Sequence, residues 1–79
     1  MHIDIISPEK TLYSSTLAES IICPGIDGAF QLLDHHAPLI SALKNGKIEV
    51  RENGNPIVFE IKSGMVECNK NKVNVLIEE

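Results

Sequence analysis

Apolar and polar residues alternate through most of this chain. Ile3 and Ile5 flank Asp4, and Ile48 and Val50 lie between Lys47, Glu49 and Arg51. Ile57, Phe59 and Ile61 are interleaved with Val58, Glu60 and Lys62, and Val73, Val75 and Ile77 repeat the pattern near the end. A period of two sends successive side chains to opposite faces, which predicts half-buried strands. Ile21-Ile22-Cys23 is continuous instead, as expected of a strand at a sheet centre or covered on both sides. These phases place Ile3, Ile5, Ile21, Cys23, Phe59, Ile61, Val73 and Val75 in the core.

Turn chemistry punctuates the strands at Ser7-Pro8, Ser14-Ser15, Asp27-Gly28, Asn45-Gly46, Asn53-Gly54 and Asn69-Lys70-Asn71. Short strands with turn signals about every eight to twelve residues read as an all-β antiparallel sandwich or flattened barrel, here of about ten strands. Asn53-Gly54 is the clearest hairpin, since both residues accept positive φ, and Pro56 can begin the next strand where no ladder donor is needed. Asp27-Gly28 is expected to serve an earlier hairpin in the same way. Ala37–Leu43 fits either a helical turn or two, with Pro38 at its first position, or a strand. No repeat, low-complexity tract or linker divides the chain, so residues 1–79 read as one domain.

Seventy-nine residues bury only about 60 to 65 per cent of the surface that the unfolded chain exposes, so a permanent partner would add needed stability. Composition is that of a globular domain, 43% hydrophobic and 23% charged. The net charge of −4 and singly scattered Lys and Arg leave no basic stripe for nucleic acid. No apolar run approaches the roughly 20 residues of a membrane helix, and Met1-His2-Ile3-Asp4 does not open a secretory signal. Direct membrane insertion is not expected. Cys23 and Cys68, in strand patterns of a chain without such a signal, read as buried free thiols.

Catalytic chemistry finds little support. His35-His36 with His2 invites a metal, yet neighbours on an extended segment point apart, and no Cys or Glu stands at zinc spacing. One turn histidine and one bonded locally is the simpler reading. Gly25-x-x-Gly28 lacks the following helix and the Lys of a phosphate cradle. The carboxylates fall on polar phases or in turns, and no Ser-His-Asp arrangement frames a nucleophile. No catalytic residue, cofactor or metal ligand is assigned. Phe30, beside a hairpin turn, either tucks beneath the loop or projects toward a partner.

The run Pro24-Gly25-Ile26-Asp27-Gly28-Ala29-Phe30, followed by His36-Ala37-Pro38-Leu39, resembles the signature of the epsilon subunit of F-type ATP synthases. Ile3 to Ser14 resembles that family's opening strand and turn, and Ala42-Leu43-Lys44-Asn45-Gly46 its next motif. Ser63-Gly64, Glu67 and Asn71 to Leu76 resemble its final hairpin. The resemblance implies the family's N-terminal β-sandwich domain over residues 1–79, without the two helices that normally follow. The inhibitory and nucleotide-sensing behaviour attached to those helices is not carried over to these residues.

The same resemblance implies a non-catalytic rotor subunit in the central stalk, linking the gamma subunit to the membrane c-ring and helping couple proton translocation to ATP synthesis. Gly25, Ile26, Asp27, Gly28, Ala29 and Phe30 match the c-ring-facing loop, and Ser7 and His36 match positions facing gamma. The chain would lie peripherally at the cytoplasmic face of the inner (plasma) membrane. Several positions depart from the pattern: Gln31 replaces a glycine, Ala29 an acidic residue, and Asp34-His35 a Pro-Gly, which should relax the backbone there. A bulge at Ser63-Gly64-Met65, where relatives carry two glycines, is expected to be absent or reshaped. The rival reading is a stand-alone β-sandwich that binds a small ligand or a protein, with Phe30 and the histidines lining its pocket. A third is a small metal-dependent enzyme using His35 or His36.

Overall fold

A computed structural model describes all residues 1–79. The chain forms nine strands and no helix: β1 (His2–Ile6), β2 (Thr11–Ser15), β3 (Ser20–Gly25), β4 (Gly28–Leu33), β5 (Leu39–Leu43), β6 (Gly46–Glu52), β7 (Asn55–Ile61), β8 (Ser63–Asn69) and β9 (Lys72–Glu78). They make one sheet in the order β2-β1-β9-β8-β5-β3-β6-β7, with β4 on β3. β5 and β3 share only the Gly25–Leu43 pair, so the sheet folds over at this junction. Layer β2-β1-β9-β8-β5 then covers layer β4-β3-β6-β7 within 25 × 23 × 19 Å.

The alternating positions meet between the layers. Ile3, Ile5, Val66, Val73 and Val75 come from one layer, and Ile21, Cys23, Leu32, Ile48 and Val50 from the other, all essentially inaccessible to water. Full burial of each aliphatic side chain stabilises the fold by about 1.5–3 kcal/mol. Of the expected core, seven residues are buried, whereas Phe59 is only half-buried, on the correct face of an end strand. β3 is central, as its continuous apolar run suggested: it pairs with β4, β5 and β6.

Several expectations change. The sheet is not wholly antiparallel, because β1 and β9 run parallel and align Ile3 with Val73 and Ile5 with Val75. Ser14 and Ser15 lie within β2 rather than in a turn. Ala37–Leu43 resolves into a strand, since Leu39–Leu43 pairs residue for residue with β8. In the β3–β4 hairpin, Ile26 and Asp27 form the connection and only Gly28 takes positive φ, 130°. His35 has φ 61°, so replacing Pro-Gly by Asp34-His35 does not relax this backbone. Its N–H donates to Asn71 Oδ1 (2.8 Å) and the His36 N–H to the Leu33 carbonyl (3.2 Å), holding the turn against its local cost.

β8 meets β9 in unbroken register from Ser63–Glu78 to Asn69–Lys72, so no bulge interrupts Ser63-Gly64-Met65. The β6–β7 turn is as expected, with Asn53 at φ 55° and Gly54 at φ 74°, the type I′ geometry that matches strand twist. Pro56 sits on β7, at the end of the sheet, opposite Arg51.

Candidate functional site

The strand directions sort the connections into two ends. One end carries the β1–β2 turn at Ser7–Lys10, the β3–β4 turn, Lys44-Asn45 and Lys62; the other carries 16–19, 34–38, Asn53-Gly54 and Lys70-Asn71. The loop over Gly25, Ile26, Asp27, Gly28, Ala29 and Phe30 is a stiff tip of the first end. The Ile26 N–H donates to the Ala42 carbonyl (3.1 Å) and the Lys44 N–H to the Pro24 carbonyl (2.9 Å), stitching the hairpin to β5. Gly25 is buried because it must be small: a Cβ there would lie 2.6 Å from the Gly28 carbonyl oxygen and 2.8 Å from the Phe30 ring.

Phe30 therefore tucks over Gly25 and against the core, the first of the two arrangements its sequence position allowed. The outward surface of the tip is Ile26, 57% exposed, with exposed Asp27, Gly28 and Ala29.

Ser7 and His36 fall at opposite ends of the layer that contains β1, β9, β8 and β5. Ser7 is buried, and its Oγ donates to the Lys10 carbonyl (3.2 Å) and accepts from the Lys10 N–H (3.3 Å), closing its own turn. His36 is exposed, its Nδ1 2.8 Å from the Ala37 carbonyl oxygen. The two do not meet, but the outer face of the layer runs between them.

That face carries residues sequence reasoning left unassigned. Its registers put Ala42, Met65, Leu76 and Ile6 in one row across four strands, with Ile40 in the next row. Ile40, Met65 and Leu76 are 68%, 50% and 55% exposed. Met65 and Leu76 form a ridge between two hollows. The larger, about 630 Å³, is bounded by Ile6, Ser7, Pro8 and Glu78, and the smaller, about 170 Å³, by Ile40, Glu67 and Asn74. A signal was present in the sequence: Leu76 and Met65 are apolar on the polar phase of their strands, and water-facing apolar rows mark interaction surfaces.

Toward the other end the face turns ionic. Lys72 Nζ donates to Asp4 Oδ2 (2.7 Å) and Ser14 Oγ to Asp4 Oδ1 (2.6 Å), holding the Asp4 carboxyl down at about 2. This cluster ties β9, β1 and β2 together. The Met1 amino group bonds Asp34 Oδ1 (2.8 Å) and lowers that carboxyl as well.

His35 and His36 belong to a turn, and nowhere do three His, Cys, Asp or Glu side chains gather as metal ligands would. No hollow is lined by Phe30, His35 or His36, which removes the pocket of the binding-module reading. Cys23 and Cys68 are free and buried; burial pushes the Cys23 thiol up to about 12 and raises that of Cys68, so neither is a nucleophile at neutral pH.

The family described as the ATP synthase delta/epsilon chain β-sandwich domain matches residues 1–79. The chain belongs to this family. Curated relatives include the ATP synthase epsilon chains of Chlorobium limicola, 46% identical over 48 residues, and Desulforamulus reducens, 40% identical over 52 residues. These matches cover 61% and 66% of this chain but 53% and 39% of the relatives, so it spans about half their length or less.

Among solved structures, a chain of the Euglena gracilis mitochondrial ATP synthase superposes with a TM-score of 0.91 at 18% identity, over 98% of this chain and 49% of that one. A chain from the Tetrahymena thermophila mitochondrial ATP synthase, in a structure of its central stalk and c-ring, gives 0.87 at 13% identity, over 100% and 63%. At such identities the likeness is one of fold.

Proposed function

We propose that this chain is the epsilon-type N-terminal domain of a rotor, a non-catalytic central-stalk element that joins the gamma subunit to the c-ring and helps couple proton translocation to ATP synthesis. The observation that carries the reading is the exposed apolar face of β1, β9, β8 and β5. A sandwich with a sealed core has no internal reason to keep Ile40, Met65 and Leu76 in water, and an apolar centre with a polar rim suits a protein interface. Gamma docks here, with Ser7 and His36 at its two borders. The stiff Ile26-Asp27 tip lies at one end of the sandwich, where it meets the c-ring while gamma holds the face. Torque then passes through buried contacts rather than through chemistry. The assembled protein lies at the cytoplasmic face of the inner (plasma) membrane through its partners.

The test is capture of the purified chain by gamma alone, by the c-ring alone and by both. Gamma should retain the chain stoichiometrically, more strongly with the ring present. Leu76→Asp should weaken gamma capture by about tenfold or more, the scale of an interface hot spot, with the fold intact. Asp27→Lys should remove only the gain from the ring. A folded wild-type chain that neither partner retains would overturn the reading.

A further inference from the structure

Two Asn-Gly pairs occur in the chain, Asn45-Gly46 and Asn53-Gly54. This dipeptide is unusually open to deamidation, because a glycine leaves the following amide nitrogen unhindered and the backbone around it free to rotate. That nitrogen attacks the asparagine Cγ; a C–N bond forms as the bond to the carboxamide nitrogen breaks. The amide proton leaves with that group as ammonia. Water then opens the cyclic imide at either carbonyl, leaving aspartate or isoaspartate, with no oxidant or reductant required.

The fold treats the two pairs differently. In a hairpin with a two-residue turn the flanking pair, here Glu52–Asn55, exchanges both backbone bonds, and bonded pairs alternate from there. Counting back along the β6–β7 register, Gly46–Ile61 falls on the bonded phase, so the Gly46 amide is held in the ladder. The space at Gly46 is filled too, since a Cβ there would lie 2.9 Å from Pro24 Cβ.

Asn53 and Gly54 are instead exposed at the tip of a hairpin on the sheet's last strand. The Gly54 N–H donates to Glu19 Oε1 at 2.9 Å, from a segment 35 residues away, and Arg51 Nη1 reaches the Gly54 carbonyl at 3.4 Å. We propose that Asn53 is a deamidation site of this protein and that the Glu19 side chain sets its rate by holding the Gly54 amide in the closed turn.

Attack requires rotation about the Asn53 Cα–C bond, out of the left-handed turn conformation, to bring the Gly54 nitrogen onto Cγ. That opening breaks the bond to Glu19, so the rate follows the population of the open turn. The product matters to the fold. Either outcome adds a carboxylate beside Glu19 and Glu52, and isoaspartate also adds a main-chain atom to a loop whose two residues match the strand twist. The modified hairpin loses its clamp, which makes the turn an ageing point of the domain.

The test incubates the full chain at mildly alkaline pH and follows deamidation by peptide mass mapping, with enzymatic methylation reporting isoaspartate. Trypsin separates the two sites, one in the Asn45–Lys47 peptide and the other in Glu52–Lys62. Position 53 should react while position 45 stays intact. Glu19→Ala should speed the reaction by about three- to tenfold, the effect of losing a partly exposed charge-assisted hydrogen bond. Glu19→Gln, which keeps the accepting oxygen, should stay near wild type. In urea the two sites should react at similar rates. Faster reaction at Asn45 in the folded chain, a Glu19→Ala rate equal to or below wild type, or an unchanged disparity in urea would each overturn the proposal.

Discussion

Asp4 shows how one residue's surroundings set a pH dependence. Lys72 first and Ser14 second donate to its carboxylate, and its folded value near 2 lies below the ordinary 3.8. A carboxyl depressed by folding adds stability above its unfolded value and loses it as pH falls toward the folded one. The domain should therefore lose stability between about pH 4 and pH 2, and Asp4→Asn should flatten that limb in acid titrations followed by circular dichroism. The core offers a second comparison at this scale. Ile48→Ala, at a fully buried site, should cost about 2–5 kcal/mol in urea unfolding, and half-buried Phe59→Ala about 2–3 kcal/mol, below a fully buried ring. Both inner faces were legible from alternation; the shallower position of Phe59 was not, because phase reports the side of a strand and not its place in the sheet.

Among elements, the hairpins were read most securely where the turn residues themselves carry the geometry. Asn53-Gly54 is the clear case. The β8–β9 turn is less comfortable, for Lys70 takes φ 51° and Asn71 φ 62°, and a lysine in the left-handed region sets its Cβ against the carbonyl oxygen. Lys70→Gly should raise stability by about 0.5–1 kcal/mol in thermal or urea unfolding, strain relief exceeding the glycine's added unfolded-state entropy. β5 was ambiguous because Leu39, Ile40 and Leu43 suit a helix as well as a strand. Pairing decided it: β5 takes the free edge of β8 and buries Leu43, a tertiary gain larger than local propensity over five residues. Gly64 makes a related point, since a Cβ there would stand 2.6 Å from the Leu76 carbonyl oxygen, a close approach the sequence did not announce.

Across the whole molecule, the two ends of the sheet meet without a ladder between them. The seam closes through side chains: the Tyr13 ring of β2 and the Phe59 ring of β7 stand 6.0 Å apart, edge to face at 63°, and Tyr13 Oη donates to Glu52 Oε1, at the end of the neighbouring β6, at 2.5 Å. A double-mutant cycle on Tyr13→Ala and Phe59→Ala should return a coupling of about 0.5–1.5 kcal/mol, and additivity of the two would show the seam to be held elsewhere. The sequence by itself determined the all-β class, the inner phase of nearly every strand, the β6–β7 turn and the family signature, because period-two patterning and turn chemistry are local properties of the chain. The tertiary structure alone decided that β1 lies parallel to β9, that Phe30 folds over Gly25, and that Met65, Leu76 and Ile40 share one outer face. Those facts depend on which strands become neighbours, and neighbours are chosen by long-range burial that no local spacing encodes.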